Sequence, residues 1–539
     1  MGFKLWTCSD YSRFTIYYSR FTIMQPILTS RAQRELDERA VTAGITSLAL
    51  MESAGRSAAE IILARVPDIE ESKHVVIICG RGGNGGDGLV VGRYLQDRSS
   101  HISVFLFAQR GQLRSDTATN AAALEKRGPA SLIYLTDDLA PLQKALTEAD
   151  VVIDALFGVG LDRPLEGRYS RAIAMINDCR AQRVALDIPS GLAADNGRVF
   201  GCAVEAELTI AMEFLKPAHL LFPARHYVGK VDIAAVDYPE RARAEIEPSA
   251  FLVEQSDIQS LFPARRQDGH KGDFGRVLVV AGSRGMTGAA ILTAQAALRS
   301  GAGLVYLAAP QSLNSILEAT LIETITIPLP DHQGRLSNTA KEPLLANLEG
   351  KDVLAIGPGL SRSSQVGDLV RMVLTEARVP VVLDADGISA FTDHLHLLEE
   401  VETELILTPH PGELARLINI PSEEISADRF TVARTFAQQY RLHLVLKGKP
   451  TVIASPRGEV FVNPTGNTGL AGGGSGDVLT GIIAGLIGQG ASGLNAALLG
   501  VYLHGFTADM LATDQAERAI LPTDLLAVLP QAIFKLEGR

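Results

Sequence analysis

The chain has 539 residues, more than a single hydrophobic core usually serves, so its length predicts two to four domains. Hydrophobic residues make up 46% of it and charged residues 21%, which is typical of a globular protein and not of a disordered one. The formal net charge of −11 and the lack of dense Lys and Arg runs argue against binding to nucleic acid or to anionic membranes.

The cysteines and the longest uncharged stretch bear on location. Cys8, Cys79, Cys179 and Cys202 lack Cys-x-x-Cys spacing, which predicts neither a zinc site nor a disulfide framework and favours the reducing cytoplasm. Residues 478–508 carry no Asp, Glu, Lys or Arg, but GQGASGLN interrupts them at 488–495. We expect two buried helices of about 10 to 15 residues there and no membrane span.

The N-terminal segment contains YSRFTI twice, at 11–16 and 18–23, just before Met24. Such a duplication has no role in a fold, so we expect residues 1–23 to be a non-native or disordered extension. They also lack the three parts of a secretory signal, which argues against export. Ser30 and Gln33 then form an S-x-x-Q capping box, which predicts a helix start. A second helix is predicted from apolar positions spaced by three and four residues, namely Leu48, Met51, Gly55, Ala58 and Ile62.

Short β-branched runs alternate with helical patterns through the rest of the chain. Strands are predicted at 74–79, 102–108, 150–154, 183–187, 207–212 and 230–236, and again at 275–283, 304–310, 352–359, 379–387, 404–413 and 442–448. Two glycine-rich helices, starting at Ser475 and Ser492, close the chain. Apolar strands separated by helices are typical of doubly wound parallel sheets. We therefore predict two α/β three-layer sandwiches, at 24–238 and 251–539, joined by a charged linker at 239–250.

The first glycine-rich loop, GRGGNGGDG at 80–88, links a predicted strand to an apolar helix. Backbone amides at such a helix start suit a phosphate or pyrophosphate. The G-x-G-x-x-G pattern is weak by itself, because Gln109 and Arg110 stand where a dinucleotide-binding acid is expected, and no Walker A lysine is present. A glycine turn that only packs the helix on the strand is the alternative.

Two further strands end in carboxylates, Asp154 and Asp187, at the sheet edge where open α/β sheets bind ligands. The oxygen donors of Asn84, Asp154 and Ser190 suit a hard cation. Asp187 is the first candidate for proton transfer and Asp154 the second. The alternative for Asp154 is a structural one, a cap on the turn that follows its strand.

A second glycine-rich loop, NPTGNTGLAGGGSGDVLTG at 463–481, leads into an apolar helix with Asp477 in its first turn. Amides around 474–476 can neutralise a phosphoryl group while Asp477 takes a proton from an attacking hydroxyl. An Asp at a helix start is also a capping partner, which is the structural alternative. His410 lies between two prolines in TPHPGE at 408–413, and we predict a ligand contact for it instead of a structural role.

The motifs SRAQRELDERA, MESAGR, GRGGNGGDG, DALFGVGLDRPLEG and DIPSG together resemble the YjeF-type NAD(P)HX epimerase domain, with a Rossmann-like sandwich over residues 24–238. The resemblance implies interconversion of (R)- and (S)-NAD(P)HX and a potassium ion on Asn84, Asp154 and Ser190, and Asp187 remains our candidate for the catalytic proton transfer. It places the hydrated nucleotide on Gly83, Asn84, Gly85, Gly86, Asp87, Gly158, Val159, Gly160, Leu161, Asp162, Arg163, Pro164 and Asp187.

The C-terminal motifs HKGDFGRVLVVAGS, MTGAA, GPGL, DADG, TPHPGE and GSGD resemble the ADP-dependent NAD(P)HX dehydratases, which are ribokinase-like, over residues 251–539. The resemblance implies magnesium-dependent conversion of (S)-NAD(P)HX to NAD(P)H, with release of AMP and phosphate and with Asp477 catalytic. It places the substrate on Ala289, Gly359, His410 and Asp477. It places ADP on Lys447, Gly448, Lys449, Pro450, Thr451, Asn467, Thr468, Gly469, Leu470, Ala471, Gly472, Gly473, Gly474, Ser475 and Gly476.

Two alternatives stay open. The G-x-G-D motif alone does not separate a dehydratase from a ribokinase-like small-molecule kinase. A YjeF-type domain can also serve as a binding or scaffold domain, although the Asn and Asp residues are kept and basic patches are absent from the sequence. The expected protein is a cytoplasmic bifunctional enzyme that acts on small molecules, binds neither nucleic acid nor membrane, and assembles as a homo-oligomer.

Overall fold

The computed structural model describes residues 24–67, 69, 73–98, 101–127 and 132–538, so the prediction for residues 1–23 lies outside the described residues. Two compact units are present: one comprises Pro26–Ser249, and the other comprises Ala250–Arg539 and also includes Met24 and Gln25. The segment predicted as a linker holds a short helix, Glu240–Ala244, and its Ala242 and Ile246 belong to the core of the N-terminal unit.

The N-terminal unit starts at Pro26, within its first strand. Its strands are β1 (Gln25–Ile27), β2 (Val75–Cys79), β3 (Ile102–Leu106), β4 (Leu132–Tyr134), β5 (Val151–Ala155), β6 (Gln182–Leu186), β7 (Leu208–Met212) and β8 (Lys230–Ala234). Its helices are α1 (Ser30–Thr42), α2 (Ser47–Arg65), α3 (Gly83–Gln96), α4 (Ser115–Glu125), α5 (Ala140–Glu148), α6 (Arg168–Asp178) and α7 (Glu240–Ala244).

Strands β2 to β8 form one parallel sheet in the order β4-β3-β2-β5-β6-β7-β8. The chain moves outward from β2 to β4 and then crosses back to β5, so the switch point lies between β2 and β5. The predicted doubly wound fold and its six strands are confirmed. Strand β4 escaped prediction because it is three residues long and only partly buried at the sheet edge.

The start of α1 differs from the prediction. Thr29, not Ser30, is the N-cap, and its side chain accepts a hydrogen bond from the Ala32 amide. Ser30 donates its hydroxyl to Asp195 Oδ2 at 2.6 Å, and Gln33 donates its amide to the Tyr238 hydroxyl at 2.9 Å. The predicted capping box is therefore wrong, because partners distant in sequence take both side chains.

The C-terminal unit is a larger α/β sandwich. Its strands are β9 (Ala250–Leu252), β10 (Arg276–Val280), β11 (Leu304–Pro310), β12 (Ile325–Leu329), β13 (Asp331–His332), β14 (Arg335–Leu336), β15 (Val353–Ile356), β16 (Val381–Leu383), β17 (Leu405–Leu407), β18 (His443–Leu446), β19 (Thr451–Ala454) and β20 (Val460–Asn463). Its helices are α8 (Gln255–Gln259), α9 (Thr287–Arg299), α10 (Asn314–Thr320), α11 (Lys341–Leu348), α12 (Ser364–Glu376), α13 (Asp386–Ser389), α14 (Pro411–Ile418), α15 (Ser422–Ala427), α16 (Arg429–Gln439), α17 (Ser475–Gly488), α18 (Gly493–Leu511) and α19 (Pro522–Leu536).

The main sheet of this unit runs in the order β9-β20-β19-β18-β17-β16-β15-β10-β11-β12. Its strands from β18 to β12 are parallel, whereas β19 runs antiparallel to both of its neighbours. The switch point lies between β10 and β15. Helix α17 packs closely on α9, since a Cβ atom placed on Gly481 would lie 2.2 Å from the Thr293 carbonyl oxygen.

The two glycine-rich helices are confirmed. Helix α17 begins at Ser475, and α18 follows an N-cap at Ser492, whose side chain accepts from the Asn495 amide. Helix α18 has 19 residues, longer than predicted. Among the described helices, none combines the length and apolarity that a membrane crossing needs. The cysteines that the structure describes, Cys79, Cys179 and Cys202, are free thiols.

Candidate active sites

Four neighbouring strands of the N-terminal sheet, β2, β5, β6 and β7, end at one edge beside the switch point. Helix α3 starts there at Gly83, after Gly82, which has no side chain to cap its first amides. Glycine is required in this loop, because a Cβ atom on Gly85 would lie 1.8 Å from the Gly80 carbonyl oxygen. The predicted helix start is therefore present, and anion binding by its amides stays a prediction.

Asp154 is buried at the end of β5 and accepts three hydrogen bonds. They come from the Leu156 amide at 3.1 Å, the Ser190 amide at 2.7 Å and the Ser190 hydroxyl at 2.7 Å. Burial raises the pKa of Asp154 to about 6, although these hydrogen bonds oppose the shift. The turn-capping role that the sequence left open for Asp154 is thus present, and it ties β5 to the loop after β6.

Asn84 lies in the first turn of α3, where its side-chain nitrogen forms hydrogen bonds and its side-chain oxygen does not. The nitrogen donates to the carbonyls of Phe157 at 2.8 Å and Leu186 at 3.2 Å. The oxygen, Oδ1, is buried and has no hydrogen-bond partner among the described residues. A buried oxygen without a donor is costly, and a bound cation would satisfy it.

Asp187 directly follows β6 and forms an ion pair with Lys216. Lys216 Nζ lies 2.7 Å from Asp187 Oδ1 and 3.0 Å from the Met212 carbonyl oxygen. Lys216 is 0% exposed and Asp187 is 7% exposed, so the pair is shielded from solvent. The φ angle of Asp187 is 60°, in the left-handed region that few non-glycine residues adopt.

His219 holds the backbone of the same residue. Its Nδ1 accepts the Lys216 amide at 3.0 Å, so Nε2 carries the proton and donates it to the Asp187 carbonyl at 2.7 Å. Burial and the Lys216 charge lower the pKa of His219 to about 4, so its ring is neutral at pH 7. Sequence reasoning missed both residues, although they follow β7, a strand that ends at the same edge.

Two more carboxyl groups face this ion pair. Asp37 accepts a hydrogen bond from the Tyr238 hydroxyl at 2.5 Å, and burial raises its pKa. The pKa of Asp87 lies well above its ordinary value because of burial and because of the charges of Asp187 and Asp37. Lys216 therefore forms an ion pair with Asp187 and also interacts electrostatically with Asp37 and Asp87.

The loop predicted at 158–164 approaches these residues at its first position. A Cβ atom on Gly158 would lie 3.2 Å from Asp187 Oδ2 and 3.2 Å from Asn84 Cβ. Val159 and Leu161 are half-buried. The exposed part of the loop consists of Gly160, Asp162, Arg163 and Pro164. The structure thus brings Asn84, Asp187 and Gly158 together and leaves the outer loop at the surface.

In the C-terminal unit, the first turn of α17 meets two side chains that follow β16 and β18, the strands on either side of β17. A Cβ atom on Gly476 would lie 3.2 Å from Lys447 Nζ and 3.8 Å from Asp384 Oδ2. Lys447 directly follows β18, and the buried Asp384 directly follows β16. Asp384 Oδ1 accepts from Lys447 Nζ at 2.9 Å and Oδ2 from the Thr480 hydroxyl at 2.8 Å. Sequence reasoning assigned no role to Asp384 or Thr480.

Asp477 and Lys447 have opposite charges in this site. Burial and the charge of Asp384 raise the pKa of Asp477 to about 7, with Lys447 opposing the shift. Burial alone would lower the pKa of Lys447, but the carboxylates of Asp384 and Glu413 outweigh it, and the pKa is raised. A half-buried carboxyl that titrates near neutral pH is suited to general-base catalysis.

His410 is the N-cap of α14. Its Nδ1 accepts from the amides of Gly412 at 3.0 Å and Glu413 at 3.3 Å, while its own amide donates to Glu413 Oε2 at 2.9 Å. The structural role that the sequence weighed against a ligand contact is therefore present. The side chain is still 52% exposed, so a ligand can reach the ring.

The two other predicted substrate residues lie side by side. Gly359 has a φ of 63°, and a Cβ atom on it would lie 2.9 Å from Ala289 Cβ. The Ser283 hydroxyl donates to the Gly359 carbonyl at 2.8 Å and fixes this loop. The start of α9 and the loop after β15 therefore meet at these two residues.

Hydrogen bonds from other side chains fix the segments predicted to bind the nucleotide. The buried Arg429 donates Nη2 to the carbonyls of Leu446, Lys447 and Pro450 at 3.0, 3.1 and 3.1 Å, a role that sequence reasoning missed. Asn467 donates to Asp509 Oδ1 at 3.0 Å, and its Oδ1 accepts the Gly469 amide at 3.0 Å. The residues left exposed in these segments are Gly448, Lys449, Thr468, Ala471, Gly472 and Gly473.

Two protein-family models match the chain. One is described as the YjeF-related protein N-terminus and matches residues 47–218, and the other is described as NAD(P)H-hydrate dehydratase and matches residues 277–531. In the solved structures, the ADP/ATP-dependent NAD(P)H-hydrate dehydratase from Bacillus subtilis, co-crystallized with ATP/Mg2+, is 35% identical with a TM-score of 0.47. The match covers 53% of this chain and 98% of that one.

Full-length similarity extends to proteins named bifunctional NAD(P)H-hydrate repair enzyme Nnr. The Moorella thermoacetica protein is 42% identical over 92% of this chain and 93% of its own length. The Coxiella burnetii protein is 37% identical over 93% of this chain and 98% of its own length. The Escherichia coli protein is 34% identical over 92% of this chain and 91% of its own length.

Proposed function

The chain belongs to the family of bifunctional NAD(P)H-hydrate repair enzymes, and we propose that its two sites divide the two reactions of that repair. The N-terminal unit epimerises (R)- and (S)-NAD(P)HX, and the C-terminal unit dehydrates (S)-NAD(P)HX to NAD(P)H at the expense of ADP. Epimerisation lets both forms be repaired by a dehydratase that accepts one of them. The observation that carries this assignment is Asp477, half-buried in the first turn of α17 next to Lys447.

In the N-terminal site, Asp187 is the group that moves a proton. The hydrated ring carries a hydroxyl on C6 beside ring nitrogen N1. When Asp187 accepts the hydroxyl proton, a C6=O bond forms as the C6–N1 bond breaks, and the negative charge spreads from N1 into the carboxamide. After rotation, N1 attacks the other face of the carbonyl and the alkoxide takes the proton back from Asp187. One carboxylate serves both directions, and no proton is gained or lost.

In the C-terminal site, Asp477 accepts the C6 hydroxyl proton as the oxygen attacks the terminal phosphorus of ADP, and AMP departs. Phosphate then replaces hydroxide as the leaving group. The N1 lone pair expels it from C6, and loss of a proton from C5 restores the double bond of NAD(P)H. The amides of the first turn of α17 and the Lys447 ammonium beside Gly476 stabilise the transferred phosphoryl group.

Potassium fits the N-terminal site. The buried Asn84 Oδ1 lacks a donor among the described residues, and the Ser190 hydroxyl and the Phe157 carbonyl oxygen lie 3.3 Å apart nearby. No group of three His, Cys, Asp or Glu residues in the described part of the chain could hold a metal. Mainly neutral oxygens suit a monovalent ion, and Asn84, Asp154 and Ser190 are the residues that would hold it. Its charge would stabilise the ionised form of Asp154.

Magnesium fits the C-terminal site through one carboxylate and the phosphates of ADP. At nucleotide sites this ion is held largely by phosphate oxygens and water, with one or two carboxylates. Glu413 Oε1 lies 3.7 Å from His410 Nε2, beyond hydrogen-bond distance, and is the oxygen that would contribute. Magnesium would supply positive charge to the phosphoryl group when bound. The amides in the first turn of α17 would stabilise the same group.

The cellular setting of the proposal is a homo-oligomer in the cytoplasm. Free thiols at the described cysteines suit a reducing compartment. Ile316, Ile322 and Ile325, near the edge strand β12, are 51%, 88% and 44% exposed. Such an apolar patch at a sheet edge suits contact with a second copy. Light scattering during size-exclusion chromatography tests this, and a monomer at micromolar concentration would contradict it.

The test of the function uses purified full-length protein and both epimers of hydrated NADH. Recovery of dihydronicotinamide absorbance is followed with ADP plus magnesium, with magnesium alone, and without enzyme. We expect both epimers to be consumed completely when ADP is present, and epimer exchange without recovery when it is absent. Lack of recovery under every condition would refute the proposal, and phosphorylation of the substrate without recovery would identify a kinase instead.

A further inference from the structure

We propose that Lys216 and His219 are positioning residues for epimerisation. Lys216 binds one oxygen of Asp187, and His219 binds its carbonyl, so that the second carboxylate oxygen faces the ligand loop at Gly158. The inference rests on the proposed function of the N-terminal site and adds residues that act through Asp187.

Burial shows that Lys216 acts indirectly. Its side chain is 0% exposed, and Nζ is committed to Asp187 Oδ1 at 2.7 Å and the Met212 carbonyl at 3.0 Å. Such a group cannot touch a substrate. A buried ion pair is also a poor stabilising device, because apolar residues of similar volume often stabilise a fold equally well. Stability alone therefore does not explain a lysine here.

The backbone of Asp187 is fixed from two sides. Its amide donates to the Ile210 carbonyl at 2.8 Å, and its carbonyl accepts the His219 Nε2 proton at 2.7 Å. These bonds hold a residue whose φ of 60° lies in the left-handed region, which non-glycine residues adopt uncommonly. Strain that its surroundings maintain in this way is characteristic of functional positions.

The two carboxylate oxygens of Asp187 have different surroundings. Oδ1 accepts from Lys216, whereas Oδ2 lies 3.2 Å from the position that a Cβ atom on Gly158 would occupy. That position belongs to the loop proposed to bind the hydrated nucleotide. Lys216 thus orients Oδ2, the oxygen left for proton transfer, toward the substrate.

The other titratable groups around Lys216 cannot replace its ammonium as the partner of Asp187. Asp37 on α1 and Asp87 on α3 both interact with Lys216 and with Asp187. His219 is neutral and offers no replacement charge. Without Lys216, Asp187 Oδ1 would lose the ammonium that binds it at 2.7 Å, and the nearby carboxyl groups of Asp37 and Asp87 offer no cation to replace it.

The test measures epimer exchange without ADP, starting from one pure epimer and subtracting the uncatalysed rate. Lys216→Met is expected to lower kcat at least about 30-fold while KM changes less than about threefold, because the lysine does not touch the substrate. Lys230→Met, at the exposed first residue of β8, is the control and should keep the wild-type kcat. ADP-dependent dehydration by the same preparations serves as an internal reference.

A double variant and a second residue keep the test decisive if Lys216→Met folds poorly. Asp187→Asn/Lys216→Met, which removes both charges, should be no slower than Asp187→Asn alone. His219→Ala should lower kcat, and His219→Gln, which keeps an N–H for the Asp187 carbonyl, should recover part of the loss. Wild-type kcat in Lys216→Met or in His219→Ala, or a further loss in the double variant, would overturn the inference. Absence of epimer exchange in the wild-type protein would instead refute the proposed function.

Discussion

Lys447 Nζ lies 2.9 Å from Asp384 Oδ1, and the same ammonium would lie 3.2 Å from a Cβ atom on Gly476. One lysine therefore connects the buried carboxylate after β16 with the helix turn that carries Asp477. We expect the proposed dehydratase site to depend on this ion pair as well as on its glycine-rich loop.

Asp384→Asn tests that dependence. The change leaves Lys447 without its close partner, and breaking a buried pair of this kind costs about 3 kcal/mol. We expect a clear drop in the melting temperature of the C-terminal unit together with slower but measurable dehydration. Asp368→Asn, which removes a surface pair with Arg371, is the control and should change neither. An unchanged melting temperature in Asp384→Asn would contradict the structural role given to the pair.

Variants of the two aspartates proposed as catalytic, Asp477 and Asp187, should separate the two activities. Asp477→Asn is expected to reduce ADP-dependent recovery about 100-fold or more and to leave epimer exchange intact. Asp187→Asn should have the opposite effect. Each variant is the fold control for the other, because both activities are measured on one preparation by chromatography of the epimers and by absorbance. If both variants behave like wild type, these assignments are wrong.

The pH dependence of dehydration follows from Asp477. Its pKa is raised to about 7, so the carboxyl becomes protonated as the pH falls through 7 and no longer accepts a proton. We expect kcat/KM for dehydration to fall about tenfold per pH unit below that value and to level off above it. Asp384→Asn removes a negative charge that contributes to the shift, so the acid limb should move to lower pH. A profile that is flat from pH 5 to 8 would exclude Asp477 as the base.

Potassium should act on the N-terminal unit alone. Replacing K⁺ by tetramethylammonium at equal ionic strength is expected to slow epimer exchange. The loss of potassium from the N-terminal site should not change the rate of dehydration. Binding also stabilises the folded state, by about 2.7 kcal/mol at 100 times Kd, so KCl should raise the melting temperature. Asn84→Ala, which removes the partnerless Oδ1, should abolish this increase. A potassium effect of wild-type size in Asn84→Ala would place the ion elsewhere.

Much of the candidate sites was predictable, because each glycine-rich loop follows an apolar strand and starts a helix. Asn84, Asp187 and Gly158 come from three separate segments, yet they were predicted together since parallel strands end at one edge. Asp477 was identified by its place after Gly476. Lys216 gave no signal of this kind, because a lysine in a loop is ordinarily exposed and only burial against Asp187 gives it a role.

Local periodicity and glycine at the turns were enough to predict two doubly wound α/β units, the positions of most of their parallel strands, and the glycine-rich loops that are proposed to bind ligands. The pairing of the charged side chains became visible in the tertiary structure alone. Lys216 with Asp187, Lys447 with Asp384, and the N-cap position of His410 depend on distances between segments far apart in the chain or on backbone angles. Such distances set the burial and electrostatics that tune a carboxyl group, and a linear pattern does not encode them directly.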